Sequence, residues 1–243
     1  MAQQQVNGDA PIEQMMLFVH RSFAISSVVF YWVDETSEMT DFRADGAPGD
    51  FMHRYMAGMR QLDPLLVSRI SSQGKRIARL SEEWQNVSTD QGDAYRHFLG
   101  GYGIVDNIDF VFWHEGAPIA GIGLLPRAQD NPVDLLRLNL GAMHQYFEFS
   151  LSLHPRLRAR RLRMDLRDRY RLSPREIQVA ALIGAGASNT DIAEMLNIGV
   201  ATVKTYVLAI LSKLAAENRA GIAAMTAGLG IDAGADRIGL RGI

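Results

Sequence analysis

Val200 to Leu214 spaces its apolar residues as one side of a helix: Val203, Val207, Ile210 and Leu214 fall on a single stripe. That leaves Ala201, Thr202, Lys204, Thr205 and Leu208 on the opposite side. Small and hydrogen-bonding side chains on an outward face suit a helix that lies in a nucleic-acid groove and touches base edges. A solvated face on an ordinary helical bundle has the same pattern, so the neighbouring elements must decide between the two.

Other chemistry finds little support. The chain has no cysteine, which rules out disulfides and thiolate metal sites. His20, His53, His97, His114, His144 and His154 are scattered without metal-ligand spacing, and lone histidines of this kind are usually structural. Neither a Gly-x-Ser-x-Gly elbow nor a phosphate-binding loop occurs. The N-terminal part lacks the alternating strand and helix pattern of a phospho-receiver, which makes Asp106 and Asp109 poor phosphorylation candidates. No enzyme, metal or cofactor is expected.

The elements around the helix are sharply punctuated. Ser173-Pro174-Arg175-Glu176 combines a serine N-cap, proline at the first helical position and a glutamate placed to reach back to the cap N–H. Gly184-Ala185-Gly186 ends that helix. Ser188-Asn189-Thr190-Asp191 repeats the capping logic and opens a second helix with Ile192, Ala193 and Leu196 inward. The turn Asn197-Ile198-Gly199 precedes the helix from Val200, and a last helix is expected from Asn218 to Leu229, with Ile222, Met225 and Leu229 on one side. Helix, tight turn and second helix is helix-turn-helix syntax.

Residues 172–229 resemble the DNA-binding domain of LuxR/FixJ-type bacterial transcription regulators. The resemblance rests on Leu-Ser-Pro-Arg-Glu at 172–176, Ser-Asn-x-Asp-Ile-Ala-Glu-x-Leu at 188–196, Thr-Val-Lys-Thr at 202–205 and Lys-Leu at 213–214. It implies base-facing roles for Lys204, Thr205 and Leu208, phosphate contacts from Asn189, Thr202 and Lys213, and pairing of two copies through the last helix. The chain also departs from the family: Tyr206 replaces a usual histidine, Gly199 a usual serine cap, and Leu208-Ala209 stand where a basic residue is common. Lost phosphate-neutralising charge weakens the sequence-independent part of binding. Binding that depends strongly on dimerisation is therefore expected.

The first two thirds read differently. Pro11 to His20 has the recurrence of an amphipathic helix, and Ser26 to Val33 that of a buried strand. Asp45 to Gly49 is a loop, Phe51 to Met59 a short helix, and Asp63-Pro64 a break before more helix at Leu65 to Ile70. Extended chain is expected near Ile77 to Leu80, and a helix from Gln91 to Leu99. Val105 to Trp113 and Ile119 to Leu125 form a hairpin around a loop at 114–118. Asn131 to Asp134 caps a helix running to Leu153 that includes Leu135 and Leu138. Helices packed on a few antiparallel strands predict an α+β fold, with an N-terminal α/β/α sandwich followed by an all-α four-helix domain.

Such a sandwich often encloses a small-molecule cavity. Tyr55, Asp63-Pro64, Gly103 to Asp106 and Ala120-Gly121-Ile122 are similar to the autoinducer-binding domain of LuxR-type quorum-sensing regulators. The similarity implies an acyl-homoserine lactone whose amide donates to Asp63, with Tyr55, Phe51 and Trp84 in the aromatic cluster. Phe51 stands where the family has a tryptophan that donates to the lactone carbonyl, and phenylalanine cannot donate. Trp84 takes a second tryptophan's place only across a longer loop. Read without the similarity, Phe51, Tyr55 and Trp84 are core aromatics and Asp63 caps the helix after Pro64.

The domain plan is a ligand-sensing domain at 1–153, an arginine-rich connector at 154–171, the helix-turn-helix domain at 172–229 and a tail at 230–243. The overall charge of −2 is unevenly spread, because residues 156–175 hold nine arginines against two aspartates. That stretch either supplies nonspecific attraction to DNA or is a solvated helix whose Asp165 and Asp168 pair with some arginines. With no apolar run of membrane length and no signal peptide, a soluble cytoplasmic protein is expected. Expected partners are double-stranded DNA, a second copy of the chain and a small-molecule signal, with RNA polymerase a further candidate and no membrane. For the sensory half three readings stay open: a lactone receptor, a receptor for another small molecule, and a ligand-independent module that binds protein. A helix-turn-helix used only to dimerise is the non-DNA alternative.

Overall fold

The computed structural model describes residues 9–34, 36–130 and 139–229. The chain divides after Ser150 into two compact units. In the first, helix α1 (Ala10–Phe23) leads into strands β1 (Val28–Val33) and β2 (Met39–Asp45). Helices α2 (Phe51–Ala57) and α3 (Val67–Ser72), strand β3 (Ile77–Arg79), helix α4 (Thr89–Gly100), strands β4 (Ile108–His114) and β5 (Ala117–Leu124) and helix α5 (Leu140–Ser152) follow. The strands form one antiparallel sheet in the order β2-β1-β5-β4-β3.

Helices cover both faces of this sheet, giving the α/β/α sandwich. On one face Val29, Tyr31, Val33 and Val111 share a core with Phe51 and Tyr55 of α2, Val67 and Ile70 of α3, and Tyr95 and Phe98 of α4. On the other, Phe110 meets Phe23 of α1 edge to face and Phe112 meets Phe147 of α5 the same way. Double coverage explains why all six residues of β1 are buried and why it reads as an uninterrupted apolar run.

Three details differ from expectation. Strand β2 is not legible as a strand, because as a sheet edge it is mostly polar and only Met39 is buried. It also carries a bulge opposite Tyr31, where Asp41 adopts φ 47°. The loop expected at 114–118 is a two-residue turn, Glu115-Gly116, with both residues at positive φ and His114 paired to Ala117. Helix α3 begins at Val67 with Leu66 at its cap position, so Asp63 does not cap it; its Oδ1 accepts from Leu65 N at 2.8 Å in the preceding turn. The expected cap at Asn131 to Asp134, with Leu135 and Leu138, and the tail at 230–243 lie outside the described residues.

The second unit is helical. The arginine-rich stretch is helix α6 (Pro155–Asp168), and α7 (Pro174–Gly184), α8 (Asn189–Leu196), α9 (Val200–Leu214) and α10 (Arg219–Thr226) follow. Leu166 of α6 is buried in the same core as Val179, Ile192, Val203 and Ile210, so α6 is docked on the helical domain. Asp168 pairs with Arg167 at 2.9 Å. Both expected capping boxes form, Ser173 with Glu176 and Ser188 with Asp191. Asn197 takes φ 50° at the end of α8, and the α8 and α9 axes then turn through 110°.

The apolar side of α10 faces the domain's own core. Ile222 and Leu229 are buried and Met225 packs against the domain's own core, while the Thr226 hydroxyl donates to Ala180 O at 2.9 Å. The helix spends these residues on α7, so any pairing of copies through it must use other positions.

Candidate functional site

Two glycines open the helix-covered face of the first sheet. Gly121 and Gly123 alternate with Ile122 on β5, so both turn toward α2, α3 and α4. Tyr31, paired with Gly121, lies across it: a Cβ on Gly121 would sit 2.2 Å from the tyrosine hydroxyl oxygen. Asp109, paired with Gly123, uses the second gap, with Oδ1 at 3.0 Å from where a Cβ would be. Between sheet and helices lies a cavity of ≈ 40 Å³. Val29, Met39, Phe42, Phe51, Met52 and Leu125 give it apolar walls, and Tyr31, Tyr55, Asp63, Tyr95, Asn107 and Asp109 its polar ones.

Of the residues anticipated for a ligand, Phe51, Tyr55 and Asp63 line this cavity. Phe51 stacks on Phe98 at 5.1 Å between ring centres and on Tyr55 at 6.1 Å. Trp84 does not join them. It sits in a 3-10 turn, with the Arg96 guanidinium 4.0 Å above its ring, and is absent from the cavity wall. The short turn at 84–86 holds it at the rim of the core, stacked against α4.

The two carboxylates in the cavity differ in how far they are satisfied. Asp63, 3% exposed, accepts from the Tyr55 hydroxyl at 2.8 Å through Oδ2 and from Leu65 N at 2.8 Å through Oδ1. Asp109, 4% exposed, accepts only from Tyr31, at 3.3 Å, through Oδ2. Its Oδ1 and the Oδ1 of Asn107 are buried and have no hydrogen-bond partner among the described residues. Burial raises both acids, and for Asp109 the nearby charge of Asp63 adds to a large upward shift. Burial, joined by these acids, also pushes Tyr31, Tyr55 and Tyr95 well above the ordinary phenol range, which keeps them protonated as donors.

Tyr31, Tyr95, Asn107 and Asp109 were not singled out from the sequence for this cavity. Asp109 does leave a trace there: it is the one charged residue in the apolar run 108–113. A lone carboxylate within a strand buried on both faces needs a partner or a use.

In the second unit, Ala201, Thr202, Lys204, Thr205 and Leu208 are all exposed on one side of α9, and Leu208 is 68% exposed. Val203, Ile210 and Leu214 are buried opposite, and Val207 packs against the same core. The Thr205 hydroxyl donates to Ala201 O at 3.2 Å, which turns its methyl and lone pairs outward. Asn189 and Lys213 are engaged within the domain. Asn189 Oδ1 accepts from Arg219 at 2.9 Å, and Lys213 donates to Glu176 at 2.6 Å and to Arg171 O at 3.0 Å. Among the described residues no cluster of acids and histidines could hold a metal ion, and no single helix is long and apolar enough to cross a membrane.

Comparison with known proteins agrees with this division. Residues 170–226 match the GerE family, described as bacterial regulatory proteins of the luxR family. The chain therefore carries a C-terminal helix-turn-helix domain of the luxR family. It is 24% identical over 227 residues to the monoamine regulon transcriptional regulator of Klebsiella aerogenes, covering 90% of this chain and 91% of that one. Among solved structures it is similar to SdiA of Escherichia coli, with 15% identity, a TM-score of 0.46 and coverage of 94% of this chain and 93% of that one. It is also similar to CepR2 of Burkholderia cenocepacia, an N-acylhomoserine lactone dependent LuxR family transcription factor. There the identity is 16%, the TM-score 0.45 and the coverage 63% of this chain and 87% of that one.

Proposed function

We propose that this luxR-type regulator binds operator DNA as a homodimer through α9, and that a small molecule in the N-terminal cavity controls how readily it does so. The observation that carries the DNA reading is the exposed row Thr202, Lys204, Thr205 and Leu208 on the helix that follows a tight, 110° turn. In this reading Lys204, Thr205 and Leu208 meet base edges, and Thr202 meets a phosphate. Asn189 and Lys213 add phosphate contacts with the donors that their partners inside the domain leave over. Arginines of α6 supply attraction that does not depend on sequence. RNA polymerase is a further partner in this reading, and the cytoplasm the place where such a protein works.

The sensory reading rests on a cavity whose polar groups are more numerous than a packed core requires. A ligand that fits one arrangement of the sandwich better than another shifts the population able to present two recognition helices to paired half-sites. The relative from Klebsiella aerogenes, a transcriptional regulator over nearly its whole length, supports regulation of transcription as the output.

Genomic footprinting with the full chain, followed by salt-controlled titration of an enriched fragment, tests the DNA reading. Lys204→Ala should abolish operator binding without changing the melting temperature. An unchanged affinity would reject the role given to α9, and an absence of enriched sites would favour a helix-turn-helix that only dimerises.

A further inference from the structure

Asp63, the residue that the resemblance assigns to a ligand amide, already has both oxygens engaged, by the Tyr55 hydroxyl and Leu65 N. The unused capacity lies elsewhere on the wall. Asp109 Oδ1 and Asn107 Oδ1 are buried, have no hydrogen-bond partner among the described residues, and both face the gap left by Gly123, at 3.0 and 3.5 Å from where its Cβ would be. Two buried oxygens turned into one space suit a ligand that brings donors. Phe51 supplies no donor, and the Tyr31 and Tyr55 hydroxyls already donate to the two aspartates. The cavity wall includes no lysine, arginine or histidine to attract an anion.

We propose that this cavity binds a small primary amine as its ammonium cation, with N–H groups donated to Asp109 Oδ1 and Asn107 Oδ1. An ammonium offers three donors, and Tyr31 Oη, which donates to Asp109, keeps lone pairs for the third. Phe42 and Phe51 on the same wall suit the short apolar body attached to the ammonium. The space between the walls, ≈ 40 Å³, holds a few water-sized groups, which suits the head of a small amine. The proposal names the ligand class of the sensory half and rests on reading that half as a receptor.

Isothermal titration of the full chain with methylamine, butylamine and phenethylamine, each beside the alcohol of the same skeleton, isolates the contribution of the charge. At least one amine should bind tenfold or more tightly than its alcohol. Asp109→Asn should remove at least tenfold of that affinity and change the alcohol's affinity by much less. Gly123→Ala, whose methyl would come nearest to side-chain atoms of Asp109 and Asn107, should fill the gap and weaken amine and alcohol alike. Thermal melting of both variants checks that they are folded. Equal binding of amine and alcohol, or no binding by either, overturns the proposal; so does amine affinity that survives Asp109→Asn. In either case Asp109 and Asn107 satisfy one another through a proton or a turned amide. DNA footprinting is read separately: a chain that binds DNA but no amine loses the amine site and remains a regulator, whereas one that binds amine but no DNA keeps the site.

Discussion

Lys213 of α9 donates to Glu176 of α7 at 2.6 Å, so the residue that closes the capping box of α7 also anchors the C-terminal end of α9. Glu176 is 5% exposed, and Ser173 N donates to the same carboxylate oxygen at 2.7 Å. Burial alone would raise this acid, but Lys213 and the Ser173 donors outweigh it and hold it below the ordinary glutamate range. Its contribution to stability is therefore present above that range and is lost as pH falls through the depressed value. Lys213→Met should cost about 1–2 kcal/mol, because it leaves a buried carboxylate without its cation while the lysine end stays partly solvated. Urea unfolding at neutral pH measures this. If Lys213 also meets a phosphate, the variant lowers the salt slope of DNA binding by at most about 0.9; a larger drop would show that the contact with Glu176 is secondary.

Gly184 and Thr226 bring α7 and α10 together at backbone distance. A Cβ on Gly184 would lie 2.7 Å from Thr226 O and 2.8 Å from its hydroxyl oxygen, and the first of these is main chain that cannot swing away. Gly184→Ala should therefore destabilise the second unit by about 1–3 kcal/mol, despite the better helix propensity of alanine. A melting temperature equal to or above that of the parent chain would contradict the packing described.

Tyr31 and Gly121 make a similar pair in the sandwich. With a Cβ at 2.2 Å from the hydroxyl oxygen and 2.3 Å from Cζ, Gly121→Ala must evict the ring and break its bond to Asp109. A loss of about 2–4 kcal/mol is expected, typical of overpacking joined to a broken buried hydrogen bond. The same change made in a Tyr31→Ala background should be nearly neutral. Additive costs in that double-mutant cycle would show that the two residues do not meet.

The sequence was most legible where period and punctuation agree. Ser173 and Ser188 with their acidic partners, and the stripe Val203, Ile210 and Leu214, each state their role locally, so the helical unit is readable almost element by element. Strand β2 is hidden because an edge strand keeps water on one side, and Met39 to Asp45 has too few apolar residues to announce itself. The cavity is hidden for another reason. Tyr31, Asp63, Tyr95 and Asp109 come from four separate elements, and only the pairing of β1, β5 and β4 puts the first beside the last. Phe51 and Tyr55 could be found because one helical turn joins them, whereas Trp84, placed by analogy across a loop, could not be located by spacing.

Asp109 makes the protein's stability depend on pH in a direction opposite to that of Glu176. Around it stand Tyr31 from β1, Tyr55 from α2, Tyr95 from α4 and Asp63 from the turn before α3, where Arg69 acts on Asp63. Burial first, and the charge of Asp63 second, raise the Asp109 carboxyl well above its usual value. The folded chain thus holds a proton that the unfolded chain releases near pH 4, the ordinary aspartate range. Stability falls as pH rises from there toward the raised value, because over that window the folded state binds more protons than the unfolded one. Asp109→Asn removes the titrating group at nearly constant shape. It should flatten that part of the curve and stabilise the free protein at neutral pH by about 1–3 kcal/mol. Urea unfolding at intervals between pH 4 and 8 is the measurement, and a variant that is less stable than the parent chain at neutral pH would mean that Asp109 is held there as a well-compensated carboxylate.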